Sequence, residues 1–549
     1  MPVVELSYQG LSGMTGAHID TIRERLPHLG LDIEHEDGDA VRVEYSPNRP
    51  DYSTEYGIGL GLQGILGRET GIIPLRVAPP GWSIRADDSV AGVRGAVTGV
   101  RATGGTLDGH SLRQIISMQE DIHQGLGRGR RRVAIGIHDA GRMKPPISYT
   151  TVYGEHAFTP LEHNREMSIL DIMRETKQGV RYGGLVSGER YPVIMDSAGR
   201  VASMPPVINS AHTAITEGTR DVFVDITGHR TIDVERALAV VCITLQAAGF
   251  ALECVGVSGA GNRTPPLDER EMSVGLDMIN GTLGLAMTAG EAAACMGRSR
   301  LGAHPDGDMI RCVIPPYRFD IMGPMDLVEE AALGYGIDRM EPVPPPGRPP
   351  GRAHHTTVQL AALDRIMTGL GYTQAASPVL AGEGAMAMAG MGGGMRVANP
   401  KSGAHTMLRT SLLPGLLDIL GRNVHEPYPH RLYETGWVFE RHGTAVESLR
   451  LGCVTAHKDA SYSEIKSTIH AVLRRGLGLE GVSTPPASGP AYQPGRTAAV
   501  WAGGRRVGML GEVSGDILRA FRLREHTRVA AFEMDVELIF GGLEGKGAL

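Results

Sequence analysis

Between residues 342 and 352 the sequence reads PVPPPGRPPGR, a run that no regular helix or central strand can cross. Each proline fixes φ and lacks a backbone N–H, so the run forms a stiff, extended linker. The 549-residue chain must therefore fold as separate bodies on either side of it. At about 100–200 residues per domain, several domains are expected.

Just upstream lies IPPYRFDIMGPMDLVEEAALGYG, residues 314–336. It reads as the end of a strand at 311–314, a Pro-Pro exit and a helix opening at 324–326. Proline ahead of an acidic first turn marks a helix start, because the open N–H groups there favour negative charge. Asp326, Glu329 and Glu330, at i, i+3 and i+4, leave one helical face. Leu327, Val328, Ala331 and Leu333 fall mainly on the other side and pack inward. Asp320, six residues before Asp326, can fold back over the acidic face. No Lys or Arg separates Asp320 from Glu330. The cluster is either a solvated acidic helix start or a site for a hard cation such as Mg²⁺, which takes oxygen ligands and usually only one or two carboxylates directly.

Composition narrows the class. With 42% hydrophobic and 21% charged residues the chain is of soluble globular type, and a net charge of −7 argues against a uniformly basic nucleic-acid coat. Five cysteines without CxxC spacing fit a reducing cytoplasm rather than a disulfide framework. The N-terminal MPVVELSYQGL lacks the charged and apolar regions of a secretion signal. The most apolar stretch, residues 237–252, is interrupted by Thr244 and Gln246 and falls short of the ~20 residues a membrane span needs. It reads as a buried helix followed by a strand.

Residues 1–90 alternate short strands with helices, joined by the rigid turn SPNRPDYSTEYGIG at 46–59. An amphipathic helix over 111–126 ends in GRGRRR, which suits either a solvated helix C-terminus or contact with phosphates. VAIGIHDAG, 133–141, reads as a strand running into a turn at His138–Asp139. Small polar residues then crowd the ends of strands: Asn209, Ser210, His212 and Thr213, and later Asp225, Thr227 and His229 beside the buried-looking VFVDIT. Such residues form turns readily, but their grouping points to a pocket. With no G-x-S-x-G elbow and no obvious thiol nucleophile, hydrolysis there would use water. Beyond the linker, a helix over 357–370 precedes AGEGAMAMAGMGGGM at 381–395, which reads as a flexible loop. A helix over 413–423, a strand over 431–439 and a final strand–helix–strand unit follow.

Taken together, SPNRPD, SMPPVINS, VIPPYRFDI…DLVEEAALGYG and NPKSGAHTMLRTSLLPGLL with YETGWVF resemble the beta subunit of phenylalanyl-tRNA synthetase, in its archaeal/eukaryotic-type form. The resemblance covers nearly the whole chain in consistent order. It implies an α+β multidomain fold: an N-terminal α+β domain (1–90), a mixed α/β B3/B4-like editing domain (91–262), a small winged-helix-like B5 domain carrying the acidic cluster (266–341), the linker (342–354), and a class II synthetase-like antiparallel domain without catalysis (355–549). In such a family the chain works in an (alpha-beta)₂ heterotetramer that attaches phenylalanine to tRNA(Phe) with ATP, the synthetic site lying in the alpha subunit. By the same resemblance, Asp320, Asp326, Glu329 and Glu330 are the Mg²⁺ ligands, and Asn209, Ser210, Asp225 and Thr227 are the editing positions, for tyrosyl-hydroxyl recognition and water or ribose positioning.

Two further points bear on the class II-like domain. A literal GxGxGxR occurs at 390–396, ahead of the 431–439 strand, whereas the family order puts such a motif after it. The strand itself offers RLYETGW rather than an Arg-x-Glu pair. The chain stops soon after VAAFEMDVELI, without the anticodon domain of bacterial relatives. The alternatives are a free-standing Tyr-tRNA editing hydrolase and a non-catalytic RNA- or protein-binding paralogue.

Overall fold

The computed structural model describes residues 2–541 apart from 187, 259–267, 346 and 348–349. Three linker residues and the expected boundary at 262–266 thus lie outside the described residues. The chain divides into two units, Met1–Pro344 and Pro345–Leu549, parted within the proline run.

The first unit opens with an antiparallel sheet in the order Val3–Ser7, Ala40–Glu44, Asp32–Asp37. Val4, Leu6, Val41 and Val43 alternate onto one face and meet Ile58 and Leu62 of the helix Glu55–Ile65. Thr54 caps that helix by accepting the Gly57 N–H. A Cβ on Gly57 would sit 1.6 Å from the Asp51 carbonyl oxygen, so only glycine lets the helix press onto the SPNRPD turn.

A nine-stranded sheet follows. Its spatial order is Ile208–Asn209, Val201–Met204, Arg190–Met195, Ile147–Tyr153, Val77–Ala86, Ala251–Ser258, Ala96–Thr103, Val222–Gly228 and Val133–Asp139. Val77–Ala86 runs parallel to both neighbours, and every other pair is antiparallel. The sheet curls until its ends meet, since Ser203 near one edge bonds Asp225 near the other. Ile115, Met118 and Ile122 of helix Gly109–Gln124 and Val234, Leu238 and Val241 of helix Thr231–Ala247 fill its core. The apolar stretch at 237–252 is this second helix and the start of the strand after it. Among the described residues no helix is long and apolar enough to cross a membrane.

The unit closes with a smaller body: helices Leu276–Leu283, Ala289–Arg298 and Pro324–Tyr335, and an antiparallel sheet ordered Arg270–Gly275, Met309–Ile314, Gly302–Asp306. It returns to the N-terminal body. Gly71 N donates to Gly297 O at 2.7 Å, and Arg25 reaches Asp338 at 3.3 Å. Residues 77–258 are thus inserted between two pieces that touch.

In the second unit a six-stranded sheet runs Thr373–Gln374, His430–His442, Thr444–His457, Arg528–Asp535, Arg505–Val513, Tyr492–Ala502, antiparallel except for the first pair. Side chains alternate between two cores. Leu451, Cys453 and Phe532 meet the helices His355–Gly369 and Tyr462–His470 on one face. Val454, Ala456 and Ala531 meet the helix Leu413–Arg422 on the other. The stretch expected as a flexible loop holds the helix Glu383–Met388, with Met386 and Ala389 buried as apolar anchors.

Candidate active site

A cavity of about 370 Å³ opens between helix Gly109–Gln124, strand Val133–Asp139 and the turn at 203–209. Ile116, Ile135, Ile137, Leu161, Met204 and Ile208 make most of its wall apolar, and Asn209, Ser203 and Asp225 bring polar groups to it.

Asp225 lies in the wholly buried strand Val222–Gly228, paired with Gly136 on one side and Gly99 on the other. Its Oδ1 accepts from Ser203 Oγ at 3.1 Å and from His138 Nε2 at 2.9 Å. His138 Nδ1 in turn meets the Thr213 hydroxyl at 2.8 Å. Among the described residues Oδ2 receives no hydrogen bond, so one oxygen is anchored and the other is available to a guest. Gly136 makes the room, because a Cβ there would sit 2.6 Å from both Asp225 Oδ1 and His138 Nε2.

A second polar group borders the cavity. Glu120 Oε1 accepts from His123 Nδ1 at 3.0 Å and from Arg130 Nη2 at 2.7 Å. Burial alone would raise the Glu120 carboxyl, but these two partners hold it well below the usual carboxylate range. His123 is pulled down by burial. The Ile135 N–H donates to its Nε2 at 2.8 Å, which fixes the proton on Nδ1.

The four editing positions expected from the sequence therefore separate. Asn209 and Asp225 line the cavity; Ser210 and Thr227 do not. Ser210 caps a short turn, accepting from His212 N at 3.2 Å and donating to Thr159 O at 3.2 Å. Thr227 shares a face with Asp225, but the buried Arg94 covers it, donating to its Oγ1 at 3.1 Å and its carbonyl at 2.9 Å. Burial draws Arg94 down to about 10. Sequence reading missed Glu120, His123, Ser203 and His138, the last being placed in a turn although it sits inside the strand. A histidine at full burial on the strand next to an aspartate, one pair along from it, was the available signal, and it needed the pairing to be known.

The four carboxylates of the acidic stretch do not form one open set. Arg318, two residues ahead of Asp320, supplies the positive charge that the window from Asp320 to Glu330 lacked. Its Nε and Nη2 reach Asp320 at 3.0 and 2.8 Å, and Nη2 also bonds Glu330. Arg49 of the SPNRPD turn joins from the N-terminal body, bonding Asp51 at 2.7 Å, lying 3.8 Å over the Tyr52 ring and approaching Glu330 at 3.9 Å. Asp326 accepts from Met322 N and Gly323 N at 2.7 and 2.8 Å, closing its own helix start. Glu329 stays exposed. Partial burial, then the charges of Glu330 and Asp326, push its carboxyl up. Among the described residues no three His, Cys, Asp or Glu side chains gather as a metal site.

In the second unit, Glu434 of RLYETGW is buried and takes Arg409 Nη1 at 2.6 Å and Ser377 Oγ at 2.7 Å. The guanidinium of Arg409 also donates to Trp437 O at 2.8 Å, so it is spent on the protein itself. Arg396 of the GxGxGxR match is exposed and pairs with Glu383.

An apolar cavity ending in one half-engaged carboxyl suits a small amphipathic guest. Comparison with known proteins specifies the family. Residues 113–248 match the B3/4 domain, 272–337 the tRNA synthetase B5 domain, and 341–536 the phenylalanyl tRNA synthetase beta chain CLM domain. The chain is 36% identical to the phenylalanine–tRNA ligase beta subunit of Archaeoglobus fulgidus, over 98% of this chain and 99% of that one. It is 33% identical to that of Methanococcoides burtonii, over 98% and 100%. A crystal structure of an N-terminal fragment of the phenylalanyl-tRNA synthetase beta subunit from Pyrococcus horikoshii superposes with a TM-score of 0.59 at 30% identity, covering 61% of this chain and 99% of the fragment. The chain belongs to the family of phenylalanine–tRNA ligase beta subunits.

Proposed function

We propose that the chain serves phenylalanine–tRNA ligase as its beta subunit, in an (alpha-beta)₂ heterotetramer in the cytoplasm, and hydrolyses mischarged Tyr-tRNA(Phe) in the cavity beside Asp225. ATP is consumed in the alpha subunit. The observation that carries the editing reading is the anchoring of Asp225: one oxygen is held by Ser203 and His138, and the other is left for a guest. Tyrosine is phenylalanine plus a hydroxyl, and an apolar synthetic pocket rejects an added hydroxyl only about 10²-fold. A second site that binds the hydroxyl positively corrects the remainder. No thiol lines the cavity, and the Ser203 hydroxyl is committed to Asp225, so the nucleophile is water. Asp225 and Asn209 hold the tyrosyl hydroxyl and that water, while Ser210 fixes the turn after Asn209 and Thr227 ties the Asp225 strand to Arg94.

The test is direct. The complex should deacylate Tyr-tRNA(Phe) in preference to Phe-tRNA(Phe), and the chain without its alpha subunit should form no Phe-tRNA. Measurable Phe-tRNA synthesis by the chain alone would defeat the assignment of the synthetic site. The buried Arg409–Glu434 pair favours an interface role for the class II-like domain, since that arginine is not free to hold a phosphate.

The acidic stretch fits Mg²⁺ through Asp326 and Glu329, whose charges are not answered by a bonded arginine; Asp320 and Glu330 stand behind them, held by Arg318. When bound, Mg²⁺ supplies charge compensation, with waters or the alpha subunit completing its shell. Because the Glu329 carboxyl is pushed up, its ionisation on raising the pH opposes folding, and the ion should relieve that. Glu329→Gln is expected to match or exceed wild-type thermal stability without Mg²⁺ and to lose the stabilisation that Mg²⁺ gives wild type. Its Mg²⁺ affinity should fall at least about 10-fold. If the variant is as stable as wild type, or more so, at every Mg²⁺ concentration, the cluster is only an acidic helix start.

A further inference from the structure

We infer that the arginine turn at 127–132 is the track on which the single-stranded end of the RNA substrate enters the cavity; this rests on reading that cavity as the deacylation site. Arg128, Gly129 and Arg130 follow one another in the left-handed region, at φ 48°, 63° and 65°. For a non-glycine residue that conformation is strained and persists only where the surroundings impose it. Here they do. Arg130 turns inward as part of the cavity wall, bonded to Glu120 at 2.7 Å and Val207 O at 3.0 Å and lying 4.3 Å over the Tyr182 ring. The carbonyl of Arg131 receives Arg94 Nη1 at 3.3 Å, which ties the turn to the strand carrying Asp225.

With the turn pinned at these points, Arg128, Arg131 and Arg132 project into solvent, and among the described residues none pairs with a carboxylate. Across the opening, helix Lys177–Tyr182 contributes Gln178 to the wall. The same helix carries the exposed Lys177 and Arg181, likewise without a carboxylate partner among the described residues. These two wall elements thus carry five cations without a carboxylate partner among the described residues, Arg181 lying 5.1 Å over the Tyr182 ring, in a chain of net charge −7. The cavity itself is bordered by Glu162 and Asp225, and by Glu120, whose charge Arg130 of the same wall answers. Phosphates are repelled from that acidic interior and attracted to the rim, so the backbone stays outside while the neutral terminal ribose and its amino acid pass in. Arginine suits this task, since its planar fork matches phosphate oxygens.

The test compares wild type, Arg128→Ala/Arg131→Ala/Arg132→Ala and the corresponding triple Lys variant, each as full chain with the alpha subunit. The substrates are Tyr-tRNA(Phe) and 3′-O-tyrosyl-adenosine, which has no phosphate. Single strands contribute a salt slope of roughly 0.7 per phosphate neutralised, so the Ala variant should lose about 2 from the slope of log kcat/KM against log salt, equivalent to about 16-fold less loss between 50 and 200 mM. Its KM for Tyr-tRNA should rise with kcat retained, its hydrolysis of tyrosyl-adenosine should be that of wild type, and the Lys variant should recover the slope. An unchanged KM and slope, or an equal loss on tyrosyl-adenosine, overturns the inference and makes the turn a wall element alone. Asp225→Asn separates the two claims: if the arginines fail it still deacylates neither substrate, whereas a failed cavity reading leaves it as active as wild type.

Discussion

Asp225→Ala is expected to slow deacylation of Tyr-tRNA(Phe) by about 10²-fold or more, the usual loss when a group that takes a proton or orients water is removed. Phenylalanine charging by the complex should stay near wild type if, as proposed, the synthetic site lies in the alpha subunit. The reason lies in the carboxyl's two oxygens. Oδ2 loses its guest, and Oδ1 abandons Ser203 and His138, both fully buried. Each orphaned donor costs about 1–3 kcal/mol, so the alanine variant should also unfold at lower temperature. Asp225→Asn keeps an oxygen for those donors and should keep stability while still losing deacylation. Wild-type deacylation by Asp225→Ala would show that the site is misassigned.

The second large effect is structural. Arg318→Met should destabilise the first unit by about 3–5 kcal/mol, the cost of breaking a buried ion network from one side. Arg318 is 1% exposed, and its loss strands Asp320 and Glu330 in the interior with Arg49 as their nearest cation. Adding Asp320→Asn and Glu330→Gln to Arg318→Met should recover much of the loss, since the buried charges then disappear together. The pH dependence has a definite sign. Burial raises the Asp320 carboxyl, but Arg318 outweighs this and holds it below its ordinary value of 3.8. A carboxyl lowered by folding stabilises above its unfolded value and loses that contribution as the pH falls. The gap between wild type and Arg318→Met, measured by denaturant unfolding, should therefore be full at neutral pH and narrow below about pH 4. A gap that widens in acid would contradict the ion-pair account.

Much of the architecture could be read from local pattern. The expected helix over 413–423 matches Leu413–Arg422 to within a residue, the apolar stretch at 237–252 marked the later part of Thr231–Ala247 and the strand after it but not the helix's first six residues, and the proline run marked where the units part. The site was half legible. The crowding of small polar residues around VFVDIT led to Asn209 and Asp225, which do line the cavity. Thr227 was named from the same crowding and from the family resemblance, and the strand does set it on the same face as Asp225. What removes it is Arg94, 133 residues away in sequence, and no local pattern announces such a contact. The same holds for the acidic stretch. Its spacing was read correctly as one helix face, but the partner of Glu330 comes from Arg49 as well as Arg318, and a window over residues 320–330 contains neither.

The insertion of residues 77–258 has a temporal consequence during synthesis. Arg49 leaves the ribosome long before Arg318 and Glu330, and at about 5–20 residues per second the wait is roughly 15–50 s. The nine-stranded sheet can close in that interval, because all its strands lie between residues 77 and 258. The N-terminal body cannot bury Arg49 in its final surroundings until the later piece arrives. A chain ending near residue 260, once clear of the ribosome, therefore carries a finished cavity beside an unfinished neighbour, and that neighbour is where a chaperone would be expected to dwell.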